Sequence, residues 1–426
     1  MQTPKEYIWS LTFERELPAH LLLQASYIGR LGKHLLATRD VMNPVNLSDS
    51  KSKMDWYTAA TILEKLRQAG TPCTTTDCSK IPTIPYFESL FPNLAAQEGF
   101  APTGYTPTAT QTLYATEVLP NGNDWTTTQL DIDTFSPIAP HAFYQPQYGA
   151  LSVFSTIGNS YYHGLAVSLR QRLHDLTFDL NYTYAHSTDD ASGLQTSGTY
   201  GAALILNPFN QRASYGNSDF DIRHQINFNS VAQLPFGRGH LLGRDSGRVL
   251  NAFIGGWQLS NIFRWNTGLP TGFYGDSGPF DDNRWATNWN VQSNDTRTRP
   301  VSTCPTRGSN PKLFGCNTLS AYQSFRSAYP GETGERNTFR VPGYVDLDAG
   351  LSKSFTMSYN EHHHLQFRWE VFNVTNTQRM GQYDTSRSGF GLTLDPATQS
   401  PPPQWSNFTQ IQGTPRVMQF ALRYSF

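Results

Sequence analysis

The sequence of 426 residues contains no run approaching the ~18 uninterrupted apolar residues a membrane-spanning helix needs, its longest candidates being stretches such as 202–206. Helical membrane proteins are thereby excluded. Charge is scarce and balanced: charged residues are 15% of the chain, and 32 Lys+Arg against 33 Asp+Glu leave a formal charge of -1. That balance removes a whole-protein electrostatic pull toward nucleic acid or an anionic membrane surface. The start, Met1-Gln2-Thr3-Pro4-Lys5, shows no basic segment followed by an apolar core, so no signal peptide is visible. There is no GxSxG, HExxH, Walker loop or dinucleotide fingerprint. The sequence therefore names no catalytic, cofactor or metal site, and the expectation is a non-enzyme.

What is abundant is aromatic. Phe, Tyr and Trp number 26, 21 and 9, making up 13% of the chain, and 33 Gly and 27 Pro are scattered so that turns must be frequent. A mean hydropathy of -0.47 reads as soluble unless apolar residues alternate, because alternation hides a lipid face from any averaging window.

Alternation is what the chain shows, nine times over. One face carries Tyr7, Trp9, Leu11 and Phe13, then Leu21, Leu23, Ala25 and Tyr27 after Pro18. Leu165, Val167 and Leu169 make the third segment, and Leu176, Phe178, Leu180, Tyr182 and Tyr184 the cleanest one. Ile226, Phe228, Ala232 and Leu234 follow, then Trp257, Leu259, Phe263 and Trp265, interrupted by Asn261. Val345, Leu347, Ala349, Leu351 and Phe355 precede Leu365, Phe367, Trp369 and Val371. The last segment is Met418, Phe420, Leu422, Tyr424 and Phe426. These runs reach roughly ten residues, the length of a tilted transmembrane strand and longer than the usual five or six of globular sheets. Opposite faces carry Arg170, Arg172, Asp179, Arg368 and Glu370, as a wet lumen permits, and aromatics at strand ends suit interfacial girdles.

Connections alternate too: short near Pro18, 174, 236–255 and 359, long at 32–159, 187–219, 269–343 and 377–415. That is the asymmetry of short periplasmic turns and long extracellular loops. The expected fold is all-β, an antiparallel transmembrane β-barrel, partial, with about nine strands of a larger barrel. A further strand pair could sit in 32–159, with 111–119 as a weak candidate. Closed bacterial barrels have an even strand number with both ends in the periplasm. Nine strands entering from outside therefore lead to the expectation that 1–426 is the C-terminal part of a longer barrel.

Several motifs then carry a family resemblance: Arg15-Glu16-Leu17-Pro18 with Ser26-Tyr27-Ile28-Gly29 and Gly32-Lys33-His34-Leu35; Tyr215-Gly216-Asn217-Ser218-Asp219-Phe220-Asp221-Ile222-Arg223-His224; Leu234-Pro235-Phe236-Gly237; Gly256-Trp257-Gln258-Leu259 with Thr267-Gly268-Leu269-Pro270; and Glu370-Val371-Phe372-Asn373-Val374-Thr375-Asn376. With these the chain resembles the C-terminal portion of a TonB-dependent outer-membrane receptor, of the Oar-like type that carries a carboxypeptidase-regulatory-like domain ahead of the plug. The resemblance implies location in the cell outer membrane and energised uptake through a barrel of about 22 strands. It also implies a signal peptide, an energy-coupling box and a plug, none of which can be placed here. Implied partners are outer-membrane lipid, the missing plug and remaining strands, and TonB acting through the plug. Phe420, Leu422, Tyr424 and Phe426 resemble the C-terminal signal read by the barrel-assembly machinery.

Cys73 pairs by proximity with Cys78, and Cys304 with Cys316, each within one expected external loop. Local disulfides in an oxidising compartment are the favoured reading, with zinc as the alternative. His362, His363 and His364 read as a polar periplasmic turn that could bind metal adventitiously. Asp276, Asp281 and Asp282 could ligate calcium but read as a solvated loop, as do Asp189 and Asp190. Asp346, Asp348 and Glu370 could be imagined in glycoside hydrolysis, yet each lies on a polar strand face, where lumen hydrogen bonding accounts for it. Arg284, Trp285 and Trp289 form an aromatic cluster suited to stacking on a small-molecule, carbohydrate or peptide ligand, although long loops also need apolar anchors. The alternatives to a receptor barrel are a secreted β-sandwich or propeller binding carbohydrate, and a surface barrel or adhesin without transport. A second sheet packed on the apolar face would distinguish the first of these.

Overall fold

The computed structural model describes residues 2–426 except 75, 123, 136–140, 144–146, 148–150, 174, 193–203, 274–289, 292–310, 316–317, 358–359, 382 and 384–399. Nine long strands form one antiparallel sheet in chain order: β1 (Lys5–Leu17), β2 (Leu21–Asp40), β3 (Ser152–Arg172), β4 (Leu176–Asp189), β5 (His224–Gln233), β6 (Trp257–Asn266), β7 (Tyr344–Met357), β8 (Asn360–Phe372) and β9 (Val417–Ser425). Two-residue strands Leu204–Ile205 and Gly216–Asn217 pair onto β2 and β4. Among the described residues β1 and β9 do not pair with one another, so the sheet is an open meander, a partial barrel.

Register explains the alternation. Leu23, Leu169, Leu180, Phe228, Phe263 and Leu347 lie opposite one another across six strands, and Leu351, Trp369 and Phe420 continue the belt. One residue along, the row reads Gln24, Ser168, Asn181, Asn227, Arg264 and Asp346. A slip of one residue would exchange the two faces, so the pattern fixes the pairing. Asn261, the interruption in the sixth segment, donates from Nδ2 to Ser230 Oγ on the neighbouring strand at 2.8 Å. On β2, Gly29 lies opposite Trp9, and a Cβ there would stand 2.1 Å from the indole; the ring needs the space that glycine leaves.

The apolar face has no second sheet against it. Among the described residues the other ladders are two-residue pairings within the connections, and Leu11, Phe420 and Leu422 are 74%, 68% and 71% exposed. This removes the sandwich and propeller alternatives, which bury that face. The fully buried aromatics lie elsewhere, in two folded modules at the long connections.

The first module fills residues 41–151. It is helical, with α1 (Trp56–Gln68), α2 (Pro85–Leu90), α3 (Leu94–Glu98), α4 (Ala109–Leu113), a π-turn at Tyr114–Val118, α5 (Leu119–Asn121) and α6 (Trp125–Phe135). Trp56 sits at its centre, 5.0 Å from the Phe143 ring and 6.0 Å from those of Phe87 and Trp125. The expected weak strand at 111–119 is therefore overturned. Thr108 Oγ1 accepts from the Gln111 amide at 3.2 Å while Gln111 Oε1 accepts from the Thr108 amide at 3.1 Å, a capping box that starts a helix. The loop is also shorter than 32–159. Two β-bulges between Gly32 and Leu36 let β2 continue to Asp40, with His34 in the left-handed region at φ 55°. A second module joins the β6–β7 and β8–β9 connections: Trp405 stacks on Phe273 at 4.7 Å and on Phe314 at 5.3 Å, with Phe325 and Phe339 around them.

Within the helical module the carboxyl of Glu117 is pushed up to about 8, first by burial, then by a shared hydrogen bond with Asp131 and by the charges of Asp131 and Glu98. Asn121 Nδ2 bridges the two carboxyls at 3.2 and 3.1 Å. Because the folded value is raised, the contribution to stability is full below the ordinary value near 4.5 and is lost as pH rises through about 8. Hydrogen exchange of residues 109–135, corrected for intrinsic rates, should show stronger protection at pH 6 than at pH 9. Glu117→Gln should abolish that difference; protection that rises with pH would contradict the assignment.

Candidate functional site

Side chains from β3 to β8 line a single cavity of about 440 Å³, so the polar face is the concave one. Arg170 pairs with Asp179 at 3.2 Å, and Asn181 Nδ2 donates to Asp179 Oδ1 at 2.5 Å. On the far wall Glu370 accepts from Arg368 and from Gln419 Nε2, and Asp348 Oδ1 accepts from the Asn373 amide at 2.9 Å. The carboxylates are thus spent on neighbours. Asn229 and Ser260 line the wall between them, with Ser260 Oγ donating to the Gly350 carbonyl at 3.3 Å. Such a surface can hydrogen-bond a polar object.

Above the cavity, the segment Tyr215–His224 becomes a clamp. Asp221, 1% exposed, accepts from the Ser187 amide at 2.7 Å and from Arg223 Nε at 2.8 Å, and pairs also with Arg340. Arg340 reaches the Gly268 carbonyl at 3.0 Å. Asn337 Nδ2 donates to the Asn217 carbonyl and to Asp219 Oδ1, both at 2.7 Å, while Asn217 Nδ2 returns a bond to the Asn337 carbonyl at 2.9 Å. The incoming arm of the β6–β7 connection is thereby fixed across the ends of β4 and β5.

The motifs at 267–270 and 370–376 serve the same rim, whereas those at 15–18 and 234–237 lie at the opposite end of the strands. Thr267 Oγ1 accepts from the amides of Arg223 and His224, both at 3.1 Å, and a Cβ at Gly268 would lie 1.6 Å from the Val341 carbonyl oxygen. Asn373 and Asn376 both adopt positive φ, 51° and 50°, which asparagine tolerates better than most residues. Asn373 Nδ2 ties Thr377 and Thr414 carbonyls at 3.1 Å each, closing the base of the β8–β9 loop.

Of the residues singled out by sequence, Cys73 and Cys78 form a disulfide in the helical module. Cys304, Cys316, Arg284, Trp285, Trp289, Asp276, Asp281 and Asp282 lie outside the described residues. Phe420, Leu422 and Tyr424 project from β9, with Phe420 stacked on Trp369 at 5.9 Å and Tyr424 hydrogen-bonded to His363. Phe426 follows, its ring 6.1 Å from that of Tyr424. His362, His363 and His364 are strand residues of β8 and not a turn. Asp189 and Asp190 are buried and partnered, contrary to the solvated-loop expectation: Asp189 pairs with Arg336 and Ser192, and Asp190 accepts from the Asn159 amide at 2.9 Å. The partners lie far along the chain, at 159 and 336, and local sequence gives no signal of them.

Asp221→Ala would leave Arg223 and Arg340 facing each other without their shared anion, a loss of about 3 kcal/mol for a buried pair broken on one side. Limited proteolysis of intact cells should then cut the 331–343 arm faster than in the parent protein. Unchanged cleavage would show that the clamp does not hold the arm.

Comparison with known proteins places this geometry. The family model for the outer membrane beta barrel domain matches residues 1–419. No curated protein matches. Among solved structures, the outer membrane transporter YddB from Escherichia coli aligns over 100% of this chain and 32% of its own, at 8% identity and a TM-score of 0.34. The chain thus spans about a third of that transporter's length. With its apolar belt outward and its polar face inward, this chain belongs to the outer membrane β-barrel domain family and resides in the outer membrane.

Proposed function

We propose that this chain is the C-terminal barrel segment of a TonB-dependent receptor of the Oar-like type, supplying strands and external loops to a plugged, energised uptake channel. The observation that carries this reading is a two-faced sheet whose edges are free. β1 and β9 each have one edge without a strand partner among the described residues. In lipid every unsatisfied backbone group costs several kcal/mol, so further strands of the same barrel would complete the wall. A concave face that sets Arg, Asp, Asn and Ser among apolar Val231, Ile262 and Phe372 suits a folded plug in the lumen better than a dry core. Of the motifs that resemble this receptor family, residues 215–224, 267–270 and 373–376 lie at the long-loop rim, where they fix loop geometry, while 26–29 and 32–35 lie within β2. Its role is non-enzymatic on this reading. External loops would meet a small-molecule, carbohydrate or peptide ligand, and the plug would transmit TonB's pull.

Cross-linking of the full-length protein in growing cells tests the energised part. An adduct with TonB that disappears when the energy-coupling segment is deleted is the expected result. A protein that resides in the outer membrane yet never gives that adduct would be a surface barrel without transport.

The C-terminal strand leads to a separate expectation. Its exposed Phe420, Leu422 and Phe426 and its free edge fit a strand offered to the barrel-assembly machinery. Removing Phe426 from the full-length protein should lower the heat-modifiable, assembled fraction in outer-membrane preparations; undiminished levels would count against the signal.

A further inference from the structure

Among the described residues, the turn between β5 and β6, residues 234–256, differs from the other periplasmic connections in carrying an α-helix, α7 (Arg248–Ile254). The turn is compact. Asn251 Oδ1 accepts from the Arg238 amide at 2.6 Å, the Gly237 amide donates to the Leu242 carbonyl at 2.8 Å, and a Cβ at Gly243 would press on Ile254. Despite this order it buries none of its large apolar side chains. Leu241, Val249 and Phe253 are 86%, 75% and 71% exposed, and Leu242 and Leu250 are exposed beside them.

The position of α7 is set by Lys353. This residue lies opposite Trp257 and Phe367 in the ladder, and so belongs to the apolar, convex face. Its Nζ donates to the Ala252 carbonyl at 2.6 Å and to the Gly255 carbonyl, and it stands 4.9 Å from the Phe355 ring. Trp257 Nε1 donates to the Phe253 carbonyl at 2.8 Å. The helix C-terminus is therefore fastened to the outer wall of the sheet, near the periplasmic ends of β6 and β7, and not over the lumen. Its carbonyls supply the partial negative charge that a buried ammonium requires.

We propose that the 234–256 turn is an in-plane membrane anchor, inserting Leu241, Val249, Leu250 and Phe253 into the headgroup and acyl boundary of the inner leaflet of the outer membrane. Two observations select lipid as the occupant. The patch is continuous with the lipid-facing belt through Trp257, Phe355 and Phe367, so the same hydrocarbon reaches both. The turn also carries exposed Arg238, Arg244 and Arg248 against a single acid, Asp245, which complements phospholipid phosphates. The helix carries the apolar Val249, Leu250 and Phe253 and the loop before it carries Arg238 and Arg244, and elements that present apolar and basic side chains together lie in the interface plane. Lys353 acts as the pin: a lysine on the lipid face is tolerated near the interface, and here it holds the anchor at that depth.

The test uses the full-length protein reconstituted in phosphatidylethanolamine and phosphatidylglycerol vesicles. A nitroxide is placed at Phe253→Cys or, as aqueous reference, at Arg244→Cys, and the parent protein treated with the same reagent serves as blank. Collision with oxygen should exceed collision with a water-soluble nickel chelate severalfold at position 253, and the ratio should invert at 244. Equal nickel access at both positions would overturn the anchor. So would exclusion of both reagents from 253, which would mean that a protein partner or a second copy covers the patch. Lys353→Met should lower the ratio at 253 while the barrel remains heat-modifiable; an unchanged ratio would remove Lys353 from the device.

Discussion

Hydrocarbon offers no hydrogen bonds, and the arrangement of this chain follows from that limit. Each strand from β2 to β8 gives both its edges to neighbours in an antiparallel ladder, interrupted by bulges on β2 and at the end of β7. Within the ladder, side chains can be as apolar as lipid demands on one side and as polar as water allows on the other, because the pleat keeps the two populations apart. The sheet holds its shape through backbone pairing and register, with almost no buried apolar interior of its own.

The ordinary globular core has moved to the loops. Trp56, Trp125, Phe87 and Phe143 in the helical module, and Phe273, Phe314 and Trp405 in the second, are the residues that a soluble domain would place at its centre. Each module stands at the long-loop end of the strands, and the clamp around Asp221 and Asp189 joins this superstructure to the wall. The rim motifs do the same with backbone: glycine where chains approach too closely for a Cβ, asparagine where φ turns positive. Several of the motifs that carry the family resemblance thus coincide with positions where geometry leaves few residue choices.

The nine strands were readable because period-two alternation is a local signal, and even the exception at Asn261 has a local answer in Ser230. Strand length was read less well. The bulges after Gly32 shift the alternation, so β2 and β3 outrun the segment that periodicity reveals. The helical module is hard to read from sequence because 111–119 is apolar enough for either structure, and what decides between them is the short Thr108 to Gln111 capping box. Asp189 and Asp190 looked solvated since their partners are distant in sequence. The helix at 248–254 was hidden for another reason: its apolar side chains face outward, where a reading that seeks buried faces does not look.

The aromatic stack around Trp405 couples two hairpins that the chain keeps separate. Phe273, Phe314, Phe325 and Phe339 belong to one hairpin and Trp405 and Phe408 to the next, and Trp405 completes the cluster that the first set builds. The inheritable unit at this side of the mouth is therefore a pair of loops. A lineage that exchanged one for a foreign segment would expose the aromatic surface of its companion, so diversification here must proceed by concerted replacement, leaving the strands beneath untouched.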